Sequence, residues 1–472
     1  MKKERKLKDL NEFQSWAKES AFVYPSSEIY GGFAAVYDYG PYGSILLKNI
    51  RDAWWKSMVQ ERDDVVGLDS GIFMHPTTWL ASGHVGGFAD VLVEDKKTNI
   101  RYRADHLIEK FFAEKGETVD MDKKTPEELQ QIIEENDIKS PDGNELAAPR
   151  SFNLLVKSNL GSTDASFDEK NVTYLRGETC QGIYLNFKNI ISTTRKKLPM
   201  GIAQIGKAFR NEIVARQFIF RTREFEQMEM QYFHHPDDTE KKYEEWKKDR
   251  MKWHTDVLGI PEDSLRFKEH AKLIFYATAA FDIQYKFNSM GDAFDELEGI
   301  HARSNYDLTQ HAKHSGEKME YFDQSRNEKY IPHIMETSVG LNRIFMMLLD
   351  DAWTEEQIEN AKGETDTRIV LKIKKSLAPI KAAILPLMRK PDFQSKALDL
   401  KKSLQSEFMV EYDETASIGK RYRRQDEIGT PYCITVDHQT LEDNSVTVRD
   451  RDSMKQIRIN SDEVMDYIKE NL

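Results

Sequence analysis

The sequence predicts an α+β protein, an antiparallel sheet flanked by helices, followed by a separate C-terminal α/β domain. Three observations carry this. From Ala203 to Phe233 two strand-like runs flank a short segment without alternation, the pattern of one long hairpin. From Ser44 to Gln60, Leu46, Ile50, Trp54 and Met58 recur every four residues and mark one apolar face of a helix. After Thr367, strand and helix signals alternate to the end of the chain.

Taken in order, Asn11 to Trp16 reads as a short helix, and Tyr30 to Gly43, rich in glycine and tyrosine, as turns. An extended run to Met74-His75-Pro76 follows the Ser44 to Gln60 helix. From Ala104 to Arg150 the chain carries 13 acidic and 6 basic residues with few large apolar ones after Phe112, and this reads as an insertion with a solvated surface. Within it, Thr125-Pro126-Glu127-Glu128 is a helix start: Thr125 at the N-cap, Pro126 next, Glu128 three residues on. Ile334 to Asp350 reads as strand, glycine-containing turn and apolar helix, with Arg343 near the helix start. In the C-terminal part, Arg368 to Ile373, Phe408 to Tyr412, Pro431 to Val436 and Ser445 to Arg449 are expected as strands. Ile380 to Met388 and Gln394 to Ser406 are expected as helices, and Ser461 begins a closing amphipathic helix.

Composition bounds the function. With 472 residues the length suggests about three domains and a large buried core. Two cysteines, Cys180 and Cys433, cannot make a four-thiolate zinc site, so no zinc is expected, and their separation suggests no disulfide framework. A reducing cytoplasm is the natural setting. Met1 to Lys8 lacks the apolar core of a leader, and the longest apolar stretch, near Ile344 to Leu349, is far too short to span a bilayer. The net charge of −12 argues against indiscriminate binding of nucleic acid, yet Val370 to Leu472 holds 18 basic and 17 acidic residues, so the deficit lies elsewhere. Charge distribution governs contact with a phosphate backbone.

The hairpin carries the chemistry. Along its second strand Phe225, Gln227, Glu229, Gln231 and Phe233 share one side, opposite Glu224, Glu226, Met228, Met230 and Tyr232. The methionines and Tyr232 suit a core, leaving Phe225, Gln227 and Glu229 to face a cleft with Arg210, Arg221 and Arg223. Arginine forks suit phosphates and carboxylates because the planar guanidinium stays charged and donates in bidentate fashion.

Phe209-Arg210-Asn211-Glu212 followed by Arg221-Thr222-Arg223-Glu224-Phe225 resembles motif 2 of the class II aminoacyl-tRNA synthetases. The strings Trp79 to His84, Arg101 to Asp105 and Arg176 to Gly182 narrow the resemblance to the homodimeric glycyl-tRNA synthetases, from about Phe22 to about Asn460. It implies a class II antiparallel sheet, a catalytic domain over 1–103 and 151–366, an insertion over 104–150, and an anticodon-binding domain over 367–472. Residues 44–76 would be motif 1, through which such enzymes form homodimers. The implied reaction joins glycine, ATP and a glycine tRNA, with Mg²⁺ and a cytoplasmic location.

By the same resemblance Arg210 would hold the α-phosphate and the amino-acid carboxylate, Arg221 the γ-phosphate, and Glu212 the adenine amine, with Phe225 under the base. Asn211, Phe220, Thr222, Arg223 and Glu224 complete that part of the ATP site. The string Ser338-Val339-Gly340-Leu341-Asn342-Arg343 resembles motif 3, placing Gly340, Leu341, Asn342 and Arg343 at the phosphates, where a helix start favours anions. Glu296, with Leu297 beside it, resembles the carboxylate that meets Mg²⁺; this hard cation prefers oxygen donors. Arg210, Glu212 and Arg343 are the implied catalytic residues. For glycine, the resemblance implies Glu178, Glu229, Glu336 and Ser338 on the ammonium side, and Arg103 and Arg303 nearby. Phe225, Glu226, Gln227, Met228, Thr337, Val339 and Gly340 would line the pocket. Asn342, Cys180 and Thr337 replace residues usual in relatives. The string around Lys420, Arg421, Arg423 and Arg424, with Tyr422 among them, resembles an anticodon-binding domain, where basic and aromatic side chains suit phosphates and unstacked bases. A noncatalytic nucleic-acid-binding relative, and an adenylating enzyme without tRNA transfer, are the alternatives.

Overall fold

The computed structural model describes residues 4–119, 121, 124–160, 172–212, 217–270, 273, 277–359, 363 and 365–472. A seven-stranded sheet forms its centre. Its spatial order is Leu265–Glu269, Ala279–Phe287, Ala293–Ser304, His333–Gly340, Glu224–His234, Met200–Phe209 and Val65–Gly67. Neighbours are antiparallel except the last pair, which is parallel.

The hairpin pairs in one unbroken register, from Met200 opposite Phe233 to Phe209 opposite Glu224. Its second strand starts at Glu224, because Phe218 adopts a positive φ of 52° and Phe218–Phe220 form a 3-10 turn. The three side chains sink into the core, where Phe220 meets Phe287 edge-on. Residues 213–216, within the hairpin's connecting segment, lie outside the described ones.

One face of this sheet is apolar. Met228, Met230 and Tyr232 pack there with Leu46, Ile50 and Trp54 of the helix Pro41–Trp55 and with Ile344 to Leu349 of the helix Leu341–Ala352. The first of these helices continues through Lys56–Gln60 as a π-helical turn that buries Met58, so the whole expected stripe is covered. Fully burying side chains of this size stabilises the fold by roughly 1.5–3 kcal/mol each. The N-terminal helix, Leu10–Glu19, is capped by Asp9, whose carboxylate accepts from the Asn11 and Glu12 N–H groups.

The acidic segment forms a small unit with its own core, built on the three strands Ala89–Glu94, Arg101–Arg103 and Arg150–Asn153. The boundary suggested by charge at residue 104 therefore falls inside this unit, whose first two strands precede it. Its helix Pro126–Glu135 has the expected capping box between Thr125 and Glu128.

The C-terminal sheet has the order Val410–Tyr412, Ala382–Pro386, Tyr432–Val436, Ser445–Asp450, Gln456–Asn460 and mixes parallel with antiparallel pairs. Ala382–Pro386 replaces the helix expected over 380–388. It is a central strand buried on both faces, and its continuous apolar run carries no period by which to distinguish strand from helix. The strand Thr365–Leu371 belongs instead to a sheet with Trp353–Glu359 and Glu4–Arg5, outside the C-terminal sheet. The helices Pro391–Leu404 and Val464–Asn471 agree with the expected pattern.

Candidate active site

The polar face of the central sheet lines a cavity of about 320 Å³. Strand alternation delivers Phe225, Gln227 and Glu229 to it from one strand and Glu336, Ser338 and Gly340 from the next. The strand Ala293–Ser304 needs a correction of phase. Ile283 stands opposite Glu298 but Gln284 stands opposite Glu296, so Leu297 is an extra residue, a β-bulge. The bulge lets Glu296 share the cavity face with Gly299, His301 and Arg303.

Alternation also removes several expected contacts. Glu226 points to the helical face and pairs with Arg51 at 2.6–2.8 Å, and Met228, Val339, Leu297 and Leu341 lie in the apolar core. Thr337 is buried on that same side by parity with Met335 and Val339. Side-chain contact from these residues to a ligand in the cavity is excluded, leaving only their backbone. Glu224 pairs with Lys207 in an exposed ion pair, and the Arg223 Nε donates to the Glu212 carbonyl at 2.9 Å.

The cavity has two chemically different ends. At one, Arg210 Nε donates to the Gly177 carbonyl at 3.1 Å, and its guanidinium lies 5.1 Å from the Phe88 ring and 5.3 Å from Phe225. Arg343 starts the helix Leu341–Ala352, donates to the Glu296 carbonyl at 3.0 Å and lies 4.4 Å over Phe220. Its Nη1 is also 3.2 Å from the Glu296 carboxylate. Although burial opposes it, the Arg343 charge holds Glu296 below the usual carboxylate range. Burial instead raises the pKa of Glu212, against the pull of Arg221 and Arg210. Asn342 uses both ends of its amide, donating to Tyr39 and accepting from the Glu226 N–H at 2.8 Å. A carboxylate in its place could not donate to Tyr39.

At the other end three glutamates converge. Glu336 receives Arg303 at 2.8 Å, Gln231 at 2.7 Å and His301 at 2.9 Å. Burial would raise its pKa, but Arg303 and His301 bring it down to about 2. Glu178 meets His84 at 3.3 Å and accepts from Gln181 at 2.9 Å; with burial opposing, His84 and Arg303 hold it well below the carboxylate range. Glu229 is the opposite case. Burial first, then the charges of Glu336 and Glu178, push it well above the carboxylate range despite bonds from Thr179 and Gln231. Glu178 and Glu336 are thus drawn toward the ionised form and Glu229 toward the protonated form at the same end of the cavity. Cys180 is buried, its thiol pushed up by burial, and it donates to Glu178 at 2.9 Å.

His84, Thr179, Gln231 and His301, which hold the glutamates, and Asp307, which accepts from Arg303 at 3.0 Å, are not among the site residues singled out from the sequence. Gln231 alone had a readable signal, its place on the Phe225 face. Arg103, at the cavity's rim, is held 3.1 Å from Asp90 and also pairs with Asp105. Arg176, in the string Arg176 to Gly182, is buried and holds the carbonyls of Lys207 and Ser70. A Cβ at Gly206 would stand 2.2 Å from its guanidinium, so glycine is needed there.

Far from the cavity, the basic string forms the helix Ile418–Ile428. Arg421 is 3 % exposed and donates to the carbonyls of Pro386 and Asp413, so it braces the fold and cannot offer its guanidinium to a phosphate. Arg423 pairs with Asp366 at 2.7 Å, Arg424 pairs with Asp413, and Lys420 is exposed. The acids that pair with the string thus lie outside it, at Asp366 and Asp413. Asp426 instead takes Arg368 and Arg449.

Residues 164–352 match the family described as tRNA synthetase class II core domain (G, H, P, S and T), and residues 381–471 match the anticodon binding domain. A glycine–tRNA ligase of Chlorobaculum tepidum is 46% identical over 98% of this chain and 100% of its own length. The chain belongs to the glycine–tRNA ligase family. Among other glycine–tRNA ligases, that of Treponema denticola is 49% identical over 96% of the chain and 95% of its own, and that of Clostridium acetobutylicum 47% over 98% and 99%. In fold, the chain is similar to a prolyl-tRNA synthetase of Cryptosporidium parvum solved with halofuginone and AMPPNP. That match has a TM-score of 0.62 at 14% identity, covering 98% of this chain and 74% of the other. The ligase family therefore carries a class II core and an anticodon-binding domain here, and among the described residues no helix is long and apolar enough to cross a membrane.

Proposed function

We propose that this member of the glycine–tRNA ligase family activates glycine with ATP and transfers the glycyl group to the 3′ end of a glycine tRNA. The convergence of Glu178, Glu229 and Glu336 at the end of the cavity opposite Arg210 and Arg343 carries this reading. An ammonium group satisfies such a cluster of acids. The same crowding leaves little room for a side chain, so larger amino acids are rejected by clash.

A glycine carboxylate oxygen attacks the α-phosphorus of ATP in line, forming the mixed anhydride as the bond to pyrophosphate breaks. Arg210 holds the α-phosphate and that carboxylate, Arg343 and Arg221 the outer phosphates, Glu212 the adenine amine, and Phe225 the face of the base. In the second step a hydroxyl of the tRNA's terminal adenosine attacks the glycyl carbonyl, AMP leaves, and the hydroxyl proton passes to phosphate or solvent. No covalent enzyme intermediate is needed. Glu296, an oxygen donor held ionised by Arg343, suits Mg²⁺, which when bound neutralises phosphate charge. The anticodon-binding domain receives the tRNA through Lys420 and, once freed from their acids, Arg423 and Arg424. Pairing of two copies through residues 44–76 and a cytoplasmic location complete the reading; sedimentation of the purified chain tests the pairing.

Glycine-dependent pyrophosphate exchange, followed by charging of glycine tRNA, tests the proposal. Absence of exchange in folded protein with Mg²⁺ defeats it. Exchange without charging of any glycine tRNA supports adenylation alone.

A further inference from the structure

At the rim of the cavity the central sheet brings together His270, Asp282 and His301, two imidazoles and a carboxylate. The reaction gives no part to His270 or Asp282, and it involves His301 only through its contact with Glu336. Cross-strand geometry creates the cluster. His270, just past the strand Leu265–Glu269, donates its N–H to the Ala280 carbonyl, and His301 stands directly opposite Ala280 on the other side. Partners opposite one another share a face, and Asp282 returns to it two residues after Ala280. Ala280 contributes only a methyl between the rings, whose centroids are 5.7 Å apart at 73°. Gly299, opposite Asp282, keeps the third side open: a Cβ there would lie 3.1 Å from His301 Nε2.

One donor atom from each residue lies within 4.8 Å of the others, compatible with the separation of about 3.3 Å between ligands on a tetrahedral ion with bonds of about 2.0 Å. His270 Nε2 lies 2.8 Å from Asp282 Oδ1, so two of the three donor atoms already face each other. The Nδ1 of His301 meets the Glu336 carboxylate at 2.9 Å, which directs Nε2 at the cluster. A carboxylate on the far nitrogen of a ligating imidazole is the usual second layer of a metal site.

We propose that His270, Asp282 and His301 form a three-ligand site for a divalent transition cation of the zinc class, with the fourth position open. Two imidazoles and one carboxylate suit such an ion better than magnesium. The inference is independent of the proposed reaction, and it does not need the thiolates whose scarcity argued against zinc. Bound metal on His301 Nε2 fixes Nδ1 as the donor to Glu336.

The test is titration of metal-free, nucleotide-free full-length protein with Zn²⁺ alone by calorimetry and with Co²⁺ by visible absorption. One equivalent should bind with the intense bands of tetrahedral cobalt. His270→Ala and Asp282→Asn should each weaken binding at least about tenfold, with folding checked by circular dichroism, and Cys180→Ala should leave it unchanged. No binding, or binding indifferent to a folded variant of either ligand, overturns the site. Binding lost in Cys180→Ala assigns the metal to the neighbouring Cys180, Glu229 and Glu336 group and also overturns it.

Discussion

Around the cavity, Arg210 and Arg343 commit donors to backbone carbonyls and ring faces, Arg343 with the partly exposed Glu296 carboxylate 3.2 Å away, and both line an open space with positive charge. In the C-terminal region Arg368 and Arg449 close on Asp426 at 2.7–2.9 Å, and Arg451 caps the Gly429 and Ile373 carbonyls at 2.8 Å, all nearly inaccessible. The guanidinium is the same in both regions. It serves a substrate where the protein leaves anion-binding capacity facing a cavity, and it serves the fold where a carboxylate of the chain has already taken its place.

The sharpest separation of the two regions comes from Arg210→Ala. Exchange should fall by about 10²–10³-fold or more, while stability in urea stays within about 0.5 kcal/mol. A comparable loss of stability would place Arg210 with the structural arginines. Asp426→Ala should do the reverse, leaving Arg368 and Arg449 buried without a counter-ion at a cost of about 3–5 kcal/mol, seen as a lower urea midpoint for the C-terminal transition. Glycine-dependent exchange per folded molecule should survive.

Glu336→Gln tests the other end of the cavity. The KM for glycine should rise by about one to two orders of magnitude, more than the KM for ATP; equal changes would undo the division of the cavity. The pH dependence follows from signs. Glu336, depressed to about 2, contributes stability above the usual carboxylate pKa that is lost as pH falls from about 4.5 toward 2. Glu229, raised, contributes stability below the usual carboxylate pKa that is lost as pH rises through its folded value. An incoming ammonium lowers Glu229 again, so glycine binding at pH between those two values should release protons. Calorimetry in buffers of different ionisation enthalpy measures this, and a buffer-independent heat would contradict a protonated Glu229. The smallest effect expected is that of Lys420→Ala, a rise of about two- to fivefold in the KM for tRNA, below about 1 kcal/mol, without change in exchange.

Much of the site was readable because a strand's period of two is rigid. The alternation set Phe225, Gln227 and Glu229 on the cavity side and Met228, Met230 and Tyr232 in the core, as the structure has them, whereas Phe233, on the same side as Phe225 by parity, sinks into a second apolar cluster beside Phe187. It also exposes Glu226 and Met228 as residues whose side chains turn to the core side, leaving only their backbone toward the cavity. The phase of Glu296 was hidden, since a bulge at Leu297 exists only when two strands are compared. Arg421 shows the same limit: a basic string in sequence became a helix with one arginine turned inward, because the carbonyls at Pro386 and Asp413 needed donors. The strand Ala382–Pro386 was mistaken for a helix because burial on both faces erases periodicity.

By itself, the sequence determined which residue types stand at which intervals: the sheet faces, the helix stripes, the capping box at Thr125, and the family motifs in order. Those are properties of local geometry, fixed by covalent spacing. Three-dimensional packing alone settles which glutamate of three is driven toward the protonated form, which arginines face a cavity, and that His270, Asp282 and His301 meet. Those outcomes depend on burial and on distances across strands, where removal from water makes each charge's neighbours decide its state.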